Sequence, residues 1–267
     1  MNYAPRIRTA FCALLLPAAC MTLVGCSRIP GRPGPGPEVA RPEQIVDFPT
    51  LYKQNCAACH GESGRNGAAI SLANPVYIAL AGETQLQNAI ANGVPGKLMP
   101  PFAASAGGML TDGQVTALAQ GIVQQWGNPN ALTGQSPPPY LATLPGNAEH
   151  GLQAYQVFCA RCHGASGQGG PADGSPNTTT GKLGSIVDPS YLALISDQNL
   201  RSIAIAGRPD EAMPDWRNDA AQPAASNPMP SKPMPPKPMT DQQTTDILAW
   251  LASKRVADPG QQYPTHP

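Results

Sequence analysis

The chain twice spells Cys-x-x-Cys-His, first as Cys56-Ala57-Ala58-Cys59-His60 and again as Cys159-Ala160-Arg161-Cys162-His163. This spacing puts two sulfurs on one helical turn, where both can bond the former vinyl groups of a single porphyrin. The adjacent His then sits beneath the iron. Two covalently attached haem c groups are therefore expected, one on Cys56 and Cys59 and one on Cys159 and Cys162. His60 and His163 are the expected proximal iron ligands. Other readings of paired cysteines account for less. A thioredoxin-like redox pair expects a βαβ context, which is missing here. Zinc ligation and disulfides remain open to such pairs, but neither explains a His directly after each second Cys.

The motifs belong to an internal repeat. Cys56 to His60 maps onto Cys159 to His163 at an offset of 103. Asn74-Pro75-Val76-Tyr77 maps onto Asp188-Pro189-Ser190-Tyr191 at 114, and so do Leu86 and Gly93 onto Leu200 and Gly207. At that offset Met99-Pro100 falls on Met213-Pro214 and Phe102 on Trp216, while Thr111-Asp112 reaches Thr240-Asp241 at 129. Each half thus presents a Cys-Cys-His cluster and, further on, a Met followed by Pro. A thioether is a soft ligand suited to haem iron, and His/Met ligation raises the reduction potential. Pro fixes the backbone behind it. Met99 and Met213 are the expected sixth ligands. Met109 is the nearest rival in the first half; Met229, Met234 and Met239 are rivals in the second. His150 and His266 read as surface residues.

The N-terminus reads as an address. Arg6 and Arg8 precede a short apolar run that ends in small residues, the pattern of a secretory signal peptide. Leu23-Val24-Gly25-Cys26 resembles the bacterial lipobox, which implies acylation of Cys26 and a stable lipid anchor. A plain signal peptide with an incidental Cys, or an uncleaved helical anchor, is the alternative. Ser27 stands where Asp would retain a lipoprotein in the inner membrane, so the outer membrane is favoured. The expected place is the periplasmic side of a bacterial membrane.

On these residues the chain resembles the class I (mitochondrial-type) cytochrome c family, duplicated as in dihaem cytochromes of the c4 kind or in haem subunits of bacterial oxidases. The resemblance covers 48–126 and 151–256. It implies an all-α fold of two tandem cytochrome c domains, each with short helices around its haem. It also implies a crossing of first and last helices, with a small residue against an aromatic. The second half keeps that polarity, with Gly151 on the first helix and Trp250 on the last. The first half departs from it, with Phe48 and Gly121 at those places. Close packing requires the contact to stay filled, so Phe48 should lie over Gly121 and Gly151 under Trp250.

The domains are expected as a signal peptide at 1–25, a Pro/Gly-rich tether at 26–45, and cytochrome domains at 46–128 and 148–258. A linker with five prolines joins them at 129–147, a Pro/Met-rich insert occupies 220–239, and 259–267 is a tail. Methionines of that insert are read as covering apolar surface. Helices are expected at 48–59, 85–92 and 112–126, then at 148–162, 191–195, 197–206 and 241–254, with no strands. Thr111 and Thr240 are the N-caps of the last helices.

Composition limits the function. With 32 Pro, 27 Gly and only 5% aromatics, the chain has little conventional core, so the porphyrins should supply much of it and neither domain should fold stably without haem. With 17 basic and 17 acidic residues, a nucleic-acid partner is not expected. Two irons with both axial positions filled suit single-electron transfer between a redox donor and an acceptor, a membrane respiratory complex being one such partner. The chain is read as an electron-transfer protein with no catalytic residue. Alternatives are a peroxidase-like dihaem enzyme with an open second haem, or a cytochrome subunit of a periplasmic dehydrogenase or respiratory complex. Between Phe48 and Asn128 only Lys53, Arg65 and Lys97 face Glu62, Glu83 and Asp112 in number. So sparse a charge set cannot steer a partner, and points to apolar docking or to permanent membership of an assembly.

Overall fold

In the computed structural model, Gly36 and residues 39–171, 182–217 and 238–256 are described. The signal peptide, Cys26, Met229, Met234 and His266 lie outside the described residues. The three longer helices of the first half each start at a side-chain cap. Asp47 accepts from Thr50 N–H ahead of α1 (Phe48–Asn55), and Asn74 from Val76 and Tyr77 N–H ahead of α3 (Pro75–Asn92). Thr111 opens α4 (Asp112–Trp126) with a reciprocal capping box to Gln114. The one-turn α2 (Ala57–His60) lies between α1 and α3.

The second half repeats the scheme as α5 (Ala148–Phe158), α6 (Ala160–His163), α7 (Pro189–Leu194), α8 (Asp197–Ala206) and α9 (Asp241–Ala252). Asn147, Asp188 and Ser196 cap α5, α7 and α8, and Thr240 forms a capping box with Gln243.

The structure departs from the sequence expectations in three places. The helices over 48–59 and 148–162 break at Cys56 and Cys159, whose φ values of −119° and −121° end one helix and start the next turn. The helix expected at 85–92 begins ten residues earlier, at Pro75. Asn74-Pro75 is a cap with Pro at the first helical position, a start signal as clear as Asp188-Pro189. Gly82, at φ +70°, kinks α3 where α7 and α8 are separate helices. Finally, β1 (Gly170–Pro171) and β2 (Lys182–Leu183) pair antiparallel where only loop was expected.

The helix crossings follow the predicted swap. A Cβ on Gly121 would fall 2.1 Å from the Phe48 ring, while one on Gly151 would meet Asp246 O at 1.9 Å and Trp250 Cβ at 2.8 Å. Trp126 adds to the first crossing. It packs edge-on against Tyr52 and leans over Gly64, as Trp250 stacks on Tyr155 and leans over Gly167.

The two halves touch, and the described residues from Pro42 to Val256 form one unit. Ala206 joins the first core, and Leu80 packs on the second. The linker is pinned. Arg201, 1% exposed, donates to Pro139 O, Thr245 Oγ1 and Asp241. Tyr140 packs on the first core, while its carbonyl accepts from Gln198 Nε2.

Candidate haem-binding sites

Both Cys-x-x-Cys-His turns are built alike. His60 N–H donates to Cys56 O at 2.9 Å and His163 N–H to Cys159 O at 3.0 Å. A tyrosine hydroxyl ties down the exit of each turn: Tyr52 to Gly61 O at 2.8 Å, Tyr155 to Gly164 O at 2.7 Å. Gly61 and Gly164 sit at φ +81° and +80°, backbone that favours glycine.

The methionine loops are also built alike. Gly93 (φ +64°) ends α3, and a Cβ there would lie 2.6 Å from Met99 O; Gly207 (φ +67°) ends α8, and a Cβ there would lie 2.6 Å from Met213 O. The next amide closes each loop, Val94 N–H to Met99 O at 2.9 Å and Arg208 N–H to Met213 O at 3.0 Å. Met99 and Cys56 pack on the same core, so the first half brings both onto one surface. Cys159 packs on the second core; Met213 is half-buried and is not among the described side chains packed there.

The rivals fall elsewhere. Met109 is 90% exposed, and His150 is exposed. Met239, 6% exposed, belongs to the second core, and its N–H donates to Trp216 O as Leu110 N–H donates to Phe102 O. At the 129 offset Met239 falls on Leu110, so its aliphatic role was readable from the repeat. It covers apolar surface, as the insert was expected to.

The residues fit a haem. His60, 8% exposed, donates from Nδ1 to Ile70 O at 2.8 Å, which leaves Nε2 with its lone pair for a metal. Burial lowers the pKa of His60, and of His163, below the ordinary imidazole value and keeps each neutral, the ligating form. His163 Nδ1 is buried without a partner among the described residues. The extra residues of the second repeat enter between His163 and Ser185, and the carbonyl of Gly184, which falls on Ile70 at the 114 offset, does not accept from His163 Nδ1. The four cysteines of the two motifs are free of disulfides. Burial, with the neighbouring Cys59, pushes the Cys56 thiol up to about 11; burial, with Cys162, pushes the Cys159 thiol up to about 12. Among the described residues no three His, Cys, Asp or Glu side chains gather as a metal cluster.

Comparison with known proteins falls on the same two stretches. The family described as cytochrome c oxidase, cbb3-type, subunit III matches residues 44–120, and the cytochrome c family matches residues 148–254. The chain carries two cytochrome c domains in tandem. Two such domains imply two covalent haems, and the cysteine pairs at 56/59 and 159/162 fit them. Domain one is related to cbb3 subunit III. Over 137 residues the chain is 31% identical to the cbb3-type cytochrome c oxidase subunit FixP of Sinorhizobium medicae, covering 48% of this chain and 42% of that one. The subunit CcoP of Rubrivivax gelatinosus is 29% identical over 139 residues, 52% of this chain and 40% of that one. The chain therefore spans less than half the length of these relatives. A solved complex, the reducing HAO-like protein Kustc0457/Kustc0458 of Kuenenia stuttgartiensis, aligns at 16% identity with TM-score 0.40, over 82% of this chain and 100% of that one. That likeness is too loose to build on.

Several residues that shape the sites were given no site role from the sequence. Tyr52 and Tyr155 stand at the 103 offset and could have been found. Gly93 and Gly207 align at 114, and their shared positive φ gives that alignment its reason. The Ile70 carbonyl carries no side-chain signal.

Proposed function

We propose that the protein is a membrane-tethered dihaem cytochrome c that carries single electrons between redox proteins on the periplasmic side of a bacterial membrane. In this reading Cys56 and Cys59 hold one haem by thioethers, with His60 and Met99 on its iron. Cys159 and Cys162 hold the other, with His163 and Met213. Bound haem c supplies reversible one-electron chemistry at a low-spin, six-coordinate iron. The chain's own residues hold and orient. The Ile70 carbonyl selects the tautomer of His60, buried His60 and half-buried His163 stay neutral, and Gly93 and Gly207 let the methionine loops lie against the helix ends.

The observation that carries the reading is that repetition. Each domain sets a tyrosine-tied Cys-x-x-Cys-His turn and a Met-Pro loop closed by the same backbone bond on the same kind of glycine.

The relatives named as cbb3-type oxidase subunits favour a respiratory oxidase as the partner. Permanent membership would account for the few charges of domain one. Acylated Cys26 is the proposed anchor. Membership of a respiratory complex outweighs the Ser27 argument for the outer membrane. Among the described residues no helix is long and apolar enough to cross a membrane. Labelled fatty acid should enter the wild type and not Cys26→Ala.

The deciding experiment counts the near-infrared Met-to-iron charge-transfer band per haem in the oxidised protein. Two equivalents are expected. One equivalent, with a high-spin signal and added-ligand binding at the other haem, would overturn the reading in favour of a peroxidase-like enzyme.

A further inference from the structure

Asn74 lies where the two domains meet and works in both directions. Its Oδ1 accepts from Val76 and Tyr77 N–H and so caps α3. Its Nδ2 crosses into domain two and donates to Ala206 O and Gly207 O, each at 3.1 Å. Both ends of this link are buried, with Asn74 2% and Ala206 3% exposed. Gly207 is the residue against which the Met213-Pro214 backbone rests, and the next residue, Arg208, exchanges two backbone bonds with Met213 at 3.0 Å each. A single side chain of domain one thus holds the last carbonyls of α8, and the methionine loop is bonded one residue further on.

The repeat shows what Asn74 adds. Asp188 stands at the matching position and caps α7 in the same way, through Oδ1 to Ser190 and Tyr191 N–H. An ionised carboxylate has no N–H to give, so no such bond runs back from Asp188 to the end of α3. The Met99 loop is tied across the boundary by its own side chain instead, Lys97 Nζ to Ala193 O.

We propose that Asn74 is a positioning residue for the second haem site: domain one, through its Nδ2, holds the backbone that keeps Met213 on the iron. The proposal rests on the reading that Met213 is the axial ligand. The cap and the cross-domain bond use different atoms of one amide, so they can be separated by substitution. Asn74→Asp keeps the cap and loses the donor. Asn74→Ser keeps a competent cap without adding charge, and serves if the aspartate variant fails to fold.

The test titrates the oxidised, full-length dihaem protein with imidazole and follows loss of the Met-to-iron band. The band missing from Met213→Ala assigns the second site, and hydrogen exchange at the Arg208 amide is read in parallel. In Asn74→Asp and Asn74→Ser the second site should yield its methionine at about tenfold lower imidazole, the scale of one net hydrogen bond. The first site should not move, and Arg208 should exchange faster. Tyr140→Phe removes a hydroxyl that faces Tyr77 and Ser202, perturbing the same boundary away from Gly207. It should leave the second site unchanged. Unchanged midpoints and unchanged Arg208 exchange in both Asn74 variants would overturn the proposal, as would an equal shift in Tyr140→Phe. If Met213→Ala keeps both bands, the ligand reading fails instead.

Discussion

Gln87 and Arg201 occupy the same place in the two repeats. Each donates to the threonine at the matching place on the last helix, Gln87 to Thr116 at 2.9 Å and Arg201 to Thr245 at 3.1 Å. The longer Arg201 also reaches Pro139 O in the linker and the carboxylate of Asp241. One substitution on a common frame turns a bond inside a domain into a clamp on the chain between domains. The helix crossings differ in the same spirit. Domain one fills the space over Gly121 with a half-buried ring, whereas domain two brings Gly151 against backbone. Equivalent positions therefore carry unequal loads.

The largest test of that inequality removes a haem. Replacing Cys159 and Cys162 with Ala should leave one haem per chain by pyridine haemochrome assay and abolish the cooperative unfolding of domain two in calorimetry. Retention of that transition would mean the domain has a sufficient protein core of its own.

Next comes the clamp. Arg201→Met strands Asp241, Thr245 and Pro139 O, and should cost about 3 kcal/mol in denaturant unfolding, the scale of a broken buried pair. Gln87→Ala should cost only about 1 kcal/mol, one net hydrogen bond. Equal losses would break the comparison.

The crossings follow. Gly151→Ala drives a methyl into Asp246 O, which belongs to a helix backbone, and should cost about 3 kcal/mol. Gly121→Ala meets the ring and Cβ of a single side chain, Phe48, rather than backbone, and should cost about 1 kcal/mol, both figures lying within the range for overpacking. Phe48→Leu should recover part of the second loss and none of the first, read as a double-mutant cycle in urea. The smallest effect should be the most nearly equal: Thr111→Ala and Thr240→Ala each remove the same capping box and should each cost about 1 kcal/mol.

Much of this was legible from the repeat. The attachment turns, the Met-Pro loops, the threonine caps and the exchange of volume between Phe48 and Gly121 are local patterns or aligned positions. The role of Met239 was equally available, since Leu110 stands at the same offset. Trp126 was not. It does the work of Trp250 from a different place along its helix, so alignment conceals the equivalence. The domain boundary was not legible either. Asn74 bonds residues 132 and 133 positions away, and Arg201 bonds Pro139 at a separation of 62. Contacts at such separations arise from how folded surfaces meet and leave no periodicity in the chain.

The pinned linker has a consequence for chain length. Thr133 to Ser136 are exposed, following a turn in which Gln135 N–H donates to Leu132 O, whereas Pro138 is buried and the carbonyls of Pro139 and Tyr140 are held by Arg201 and Gln198. Residues inserted at 133–136 would bulge into solvent and leave the domains in register. One residue inserted between Pro138 and Tyr140 would pull a carbonyl off its donor. The connection is pinned in its middle, so a segment with five prolines has slack ahead of Pro138 and behaves as a measured spacer through Tyr140.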